Sequence, residues 1–241
     1  MGKASKAARA QRRRRAKAIN LIIVHHPRDG WGEALQNNRQ FKASIGQVKY
    51  LEAPMVVKTK GPSGIPNGKW LEFMQSLKGA LKPTPQGGWK VVIGFTHGND
   101  EGKLTFDPKA RKQTNVHDWW TPVQHLSAWH ALGIRRVHLH TCSVGGFLKT
   151  LPLNGDKDGE KDPLVVTAWD REIFYKDDGS CNADAYLMEG LPSVRNMRKS
   201  TTRRSWNALI EITVDRNGGV MKRTKCNKSK RDCRTPVPET D

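Results

Sequence analysis

No stretch of the 241 residues comes near the roughly 20 consecutive apolar residues that a membrane-spanning helix needs. The segment behind Arg12–Arg15 also lacks the apolar core that a secretory leader carries before its cleavage site. A cytoplasmic protein is therefore expected. Cysteine is scarce: Cys142, Cys181, Cys226 and Cys233 are the whole complement, too few in a chain of this length for a disulfide framework. Reduced thiols are the expectation. Cys226 and Cys233 stand wider apart than the paired ligands of a zinc ribbon or finger, and no metal or other cofactor is expected. Acidic residues are missing altogether from residues 1–18, and no internal repeat occurs anywhere.

What is present in excess is base. The formal charge is +19, and its highest density is terminal: residues 1–18 hold eight Lys or Arg, and residues 222–241 hold seven against Asp232, Glu239 and Asp241. Such runs behave as arms drawn to polyanions, so nucleic acid or another polyanion is an expected partner through the termini. Nothing in the arms is suited to reading base edges. No membrane partner is expected. The chain divides accordingly into a basic arm 1–18, one α/β domain 19–221 and a basic tail 222–241.

Within the domain, short apolar runs alternate with helical patterns. "AINLIIVHH" (18–26) is β-branched and stops at Pro27, as a buried strand does. "GKWLEFMQSLKGAL" (68–81) places Trp70, Leu71, Met74, Leu77 and Leu81 on one helical face and ends before Pro83. A second strand follows in "WKVVIGF" (89–95), then a turn at Gly98-Asn99-Asp100 and a short return over 101–106. Residues 121–134 read as an amphipathic helix built on Val123, Leu126, Trp129 and Leu132, with Pro122 in its first turn and Gly133 at its end. "RRVHLHTC" (135–142) and "PLVVTAW" (163–169) are further strands, and 205–214 is the last. This alternation predicts a mostly parallel sheet inside helical layers. Trp119, Trp120, Trp129 and Trp169 are expected in the core.

In such sheets function gathers beyond the carboxyl ends of the strands, where loops and helix starts converge. Two of those ends carry reactive residues. If 89–95 and 135–142 are adjacent parallel strands joined by the helix 121–134, His97-Gly98 and Cys142 emerge side by side. A thiol becomes a nucleophile beside a base, and the same imidazole can then protonate the leaving amine. Gly98, lacking a side chain, lets its N–H approach a substrate carbonyl together with the N–H of Cys142, forming an oxyanion hole of main-chain donors. His25-His26, at the end of the first strand, either line the same cleft or simply end the strand. Two other readings stay open: a metal site formed by Cys142 with His138 and His140, which alternate on one strand face, and a fold that serves only as a scaffold or a nucleic-acid-associated structural protein.

The order of these elements resembles the caspase-like cysteine peptidases, which include caspases, metacaspases, legumain, separase, gingipains and the CHAT proteins. The shared pattern is an apolar strand, His-Gly, about 45 residues, a second apolar strand, then Cys followed by small residues, and it spans roughly residues 19–221. The resemblance implies a caspase-like three-layer sandwich and a cofactor-independent endopeptidase, with Cys142 as nucleophile, His97 as general acid and base, and Gly98 and Cys142 as oxyanion donors. The surroundings of the cysteine differ from the caspase signature Gln-Ala-Cys-x-Gly, and the acid that metacaspases place two residues before the cysteine is replaced by His140. Caspase specificity for aspartate therefore does not carry over. By position, His140, Asp170 and Arg171 are the implied substrate-binding residues. Asp170 suits a basic side chain and Arg171 an acidic one.

Overall fold

The computed structural model describes residues 19–27, 30–54, 67–94, 97–102, 104–105, 122–156, 161–188 and 209–225. The arm 1–18, Trp119, Trp120, Cys226 and Cys233 lie outside them. The strands are β1 (Ile19–His25), β2 (Ile45–Glu52), β3 (Trp89–Gly94), β4 (His97–Gly98), β5 (Leu104–Thr105), β6 (Arg136–His140), β7 (Leu164–Trp169), β8 (Leu209–Val214) and β9 (Val220–Lys225). The helices are α1 (Trp31–Asn37), α2 (Arg39–Ser44), α3 (Asn67–Ala80), α4 (Pro122–Ala131), α5 (Val144–Thr150) and α6 (Asp184–Met188).

Seven strands form one sheet in the order β2-β1-β3-β6-β7-β8-β9. The first five are mutually parallel, and the pairs β7–β8 and β8–β9 are antiparallel. Alternation along the strands separates two apolar layers. Ile22, Val24, Val91, Ile93, Val137 and Leu139 pack under α3, α4 and α5, whereas Leu21, Ile23 and Val92 pack under α1, α2 and α6. Burial on both faces explains why these strands read as continuous apolar runs, each enclosed aliphatic side chain contributing about 1.5–3 kcal/mol. Trp129 and Trp169 are core residues, as expected. Among the described residues no helix is long and apolar enough to cross a membrane.

Three expectations are corrected. Met74, Leu77 and Leu81 pack inward as expected and Phe73 joins them, while Leu71 is 61% exposed and the side chain of Trp70 lies outside the described residues. The strand 209–214 is not the last, because β9 follows it. Consequently Lys222, Arg223 and Lys225, assigned to the tail, belong to an edge strand of the sheet. Arg223 is 5% exposed, its guanidinium donating to the Leu151 carbonyl.

The β8–β9 turn is organised by one carboxylate. Asp215 accepts the N–H groups of Asn217 at 2.8 Å, Gly219 at 2.9 Å and, from the chain beyond α5, Asp156 at 2.9 Å. Burial alone would raise its pKa, but these donors outweigh burial and hold it below the usual carboxylate value. Asp215→Ala, which strands those donors, is expected to lower unfolding free energy by about 2–3 kcal/mol. A depressed folded-state pKa means that the stabilisation is complete above the unfolded value of about 4 and fades as pH falls through the folded one. The gap between wild type and Asp215→Asn should therefore narrow on acidification toward pH 3. Urea unfolding across that range measures it, and a gap independent of pH would contradict the assignment.

Candidate active site

Strand β6 ends in an abrupt turn. Ser143, directly after Cys142, has φ 56° and ψ −6°, the one non-glycine residue at positive φ among the described residues. That conformation costs about 1–2 kcal/mol, so its surroundings must hold it. The Ser143 N–H donates to the Arg171 carbonyl at 2.8 Å, and the Gly146 N–H donates to the Ser143 carbonyl at 2.9 Å. Gly145 lets α5 press on the end of β7, since a Cβ there would lie 2.7 Å from the Asp170 nitrogen and 2.8 Å from the Trp169 carbonyl carbon. The run Ser-Val-Gly-Gly thus has a steric reason: it swings the chain from strand to helix within one residue of the thiol.

Cys142 is half-buried at the edge of the α1/α2/α6 layer. Its Sγ lies against the peptide of Ile173, donating to the carbonyl at 3.3 Å and accepting the N–H at 3.4 Å. Burial pushes the thiol up, the Ile173 N–H opposes it, and the nearby Glu172 and Cys181 reinforce the rise. A thiol held protonated in this way needs a base to act as a nucleophile.

The His97-Gly98 strand lies alongside this turn. A Cβ on Gly98 would sit 2.8 Å from the Cys142 carbonyl oxygen, 2.9 Å from Thr141 Oγ1 and 2.8 Å from Val144 Cγ2. Only glycine fits there. β3 and β6 are adjacent and parallel, with Gly94 opposite His140, and this register brings residues 97–98 beside residues 141–142. β4 pairs antiparallel with β5, His97 opposite Thr105, and His97 is exposed. His26 is buried, and His25 Nδ1 lies where a Cβ on Gly32 would approach to 2.4 Å, so both pack at the end of β1 rather than line an open cleft.

His140 is not where the substrate-binding expectation put it. It is fully enclosed, stacked on the Trp31 indole at 4.7 Å between centroids and 14° between planes. The residue faces α1 because β6 alternates, sending Val137 and Leu139 to one layer and His138 and His140 to the other. Below it a chain of polar groups crosses the layer. His140 Nδ1 lies 3.4 Å from His138 Nε2, His138 Nδ1 lies 3.0 Å from Thr167 Oγ1, and Thr167 donates to the Val137 carbonyl at 3.3 Å. On the other side His140 Nε2 lies 3.3 Å from Asp184 Oδ1. Burial would lower the imidazole pKa, but the Cys181 and Asp184 beside it hold it up at about 9. His138 is driven well below its ordinary value by burial and then by His140.

Sequence reasoning missed Trp31, Cys181 and Asp184 here. The one local signal was the three-residue spacing of Cys181 and Asp184, which puts the Asp184 carboxylate on the Cys181 N–H at 2.8 Å at the start of α6. Cys142 takes no part in a cluster with His138 and His140, so the ligand set considered from the sequence is not assembled.

Asp170 and Arg171 follow β7 as expected. The Asp170 carboxylate is paired with Lys149 of α5, while the Arg171 side chain is exposed at the rim of the turn.

No family model, curated protein or solved structure matches the chain.

Proposed function

We propose that the protein is a cysteine endopeptidase with a caspase-like sandwich and a Cys142/His97 dyad. The observation that supports this most is the contact of Gly98 with the strained Thr141–Ser143 turn, which sets the short His97-Gly98 strand against Cys142 beyond the carboxyl end of β6. The mostly parallel sheet with helices on both faces is also what a three-layer sandwich requires. In the reaction, His97 takes the Cys142 proton as the sulfur attacks the scissile carbonyl carbon, and the main-chain N–H groups of Gly98 and Cys142 stabilise the oxyanion. His97 returns the proton to the amine as the C–N bond breaks. Water, deprotonated by His97, then releases the acyl group and restores the thiol. No cofactor enters these steps. Asp170 is already matched by Lys149, whereas Arg171 and Glu172 are exposed next to it in the chain.

A second reading, a nucleic-acid-associated protein whose fold is only a platform, draws on the opposite end of the sheet. There an open cavity of about 700 Å³ is lined by Lys78, Lys82, Lys90, Arg135 and Arg136, with Asp162 the sole acid among its lining residues. Burial, and then Arg136, pull Lys90 down to about 8, so the cavity gathers positive charge that a phosphate chain would offset.

A peptide carrying a thiol-reactive electrophile distinguishes the two. In the peptidase, mass spectrometry should find it on Cys142, with Cys181 spared by burial and Cys142→Ala unlabelled. In the platform protein Cys142 stays unmodified at probe concentrations that saturate a peptidase, and that result would overturn the proposal.

A further inference from the structure

Three ligating side chains outside the Cys142 turn meet in one enclosed place. His140, Cys181 and Asp184 each offer a donor atom, and those atoms all lie within 4.8 Å of one another. The residues are 0%, 7% and 4% exposed. Nitrogen, sulfur and oxygen in one small buried set is the donor mixture of zinc and its softer relatives, and unsuited to magnesium or calcium.

The outer contacts are those that orient ligands. Asp184 Oδ1 accepts the Trp31 indole N–H at 3.0 Å, and Oδ2 accepts the Cys181 N–H at 2.8 Å. Nδ1 of His140 faces His138, which is in turn fixed by Thr167. A metal-binding histidine is held in this way, its second ring nitrogen engaged so that the first points at the ion. His140 Nε2 is that first nitrogen. It is wholly buried without an aligned hydrogen bond, and the groups that face it, Asp184 Oδ1 at 3.3 Å and the Cys181 thiol, are the other two donors of the set. A buried imidazole nitrogen left in that state is costly and is explained by an ion between the three donors.

We propose that His140, Cys181 and Asp184 bind a zinc-class divalent cation that ties the segment 171–188 to strand β6. All three donors are enclosed, and three protein ligands leave one tetrahedral position for a further donor. The segment it fixes is the one whose Ile173 peptide holds the Cys142 sulfur and whose Tyr175 hydroxyl donates to the His140 carbonyl at 3.2 Å. The sequence-based expectation of no metal gives way to this assignment, which stands whether or not Cys142 is a nucleophile.

The test uses the full chain, stripped of metal and titrated with Co²⁺, then Zn²⁺. One Co²⁺ per chain should bind with thiolate-to-cobalt charge-transfer absorption, and Zn²⁺ should displace it. Cys181→Ser should abolish that absorption and weaken Zn²⁺ binding by more than about 10-fold, since altering mere outer-shell partners already costs 10–100-fold. Cys142→Ser, and Cys226→Ser with Cys233→Ser, should keep the band. If Cys181→Ser does not fold, X-ray absorption of the zinc-loaded wild type decides: one sulfur at about 2.3 Å is expected. Wild type that binds neither ion, a band that survives Cys181→Ser, or a zinc shell with no sulfur or with several would overturn the site.

Discussion

Cys142→Ala should lower kcat/KM toward a fluorogenic peptide by about 10³-fold or more, and His97→Ala by a similar factor. A nucleophile and its base act as a unit, and removing either one costs nearly as much as removing both, the residual rate coming from the oxyanion donors and from binding. The double variant should therefore be no slower than the worse single one, although independent effects would multiply. That non-additivity separates a dyad from two residues that merely support the fold. Gly98→Ala adds a geometric arm: its Cβ would meet the Cys142 carbonyl oxygen at 2.8 Å, so the turn must shift, and the loss should fall on kcat more than on KM, together with a lowered thermal midpoint. Full progress curves with each purified variant measure all of this. A His97→Ala protein within about 10-fold of wild type, beside an inactive Cys142→Ala, would remove His97 from the reaction.

The parts of this arrangement that were legible in the sequence are those written in local pattern. β1, β3, β6 and β7 are short apolar runs bounded by turn residues, and α4 keeps its helical spacing through the buried Leu126 and Trp129. Placing His97-Gly98 beside Cys142 needed only that β3 and β6 be neighbours. β2 was invisible because "IGQVKYLE" is an edge strand with no fully buried position and so carries no core pattern. β9 was read as tail for a related reason: lysines on an edge strand discourage pairing with other chains, and they look the same as a solvated basic run. The short α1 and α2 lack the length that makes a period recognisable. The polar layer beneath Cys142 was hidden for another reason. Alternation puts His138 and His140 on one face, but what covers that face comes from Trp31 and Asp184, 109 and 44 residues away from His140, and no local spacing encodes such a meeting.

Trp31 is where the largest stability effect is expected. Its side chain is fully enclosed, flat on His140, edge-on to Tyr175 at 6.5 Å and 86°, and bonded through Nε1 to Asp184 Oδ1 at 3.0 Å. Gly94 of β3 lies beneath it, and a Cβ there would come within 2.3 Å of the indole, so the ring fills space that the sheet leaves for it. Trp31→Ala empties that space, at about 3–5 kcal/mol for the lost burial and cavity, and strands one acceptor on a buried carboxylate, at about 1 kcal/mol or more. A total near 5 kcal/mol is comparable to the whole stability of a marginal domain, so the variant should be largely unfolded or shift its denaturation midpoint drastically. Trp31→Phe keeps a six-membered ring and loses the pyrrole portion with its N–H. It should fold and cost about 1–3 kcal/mol, from the missing hydrogen bond and a smaller cavity, and so reports on the site when the alanine variant cannot be purified. Urea unfolding of both gives the two contributions separately. A Trp31→Ala protein within about 1 kcal/mol of wild type would mean that the indole is not what holds α1 against the sheet, because no relaxation of the surrounding rings recovers a cavity of that size.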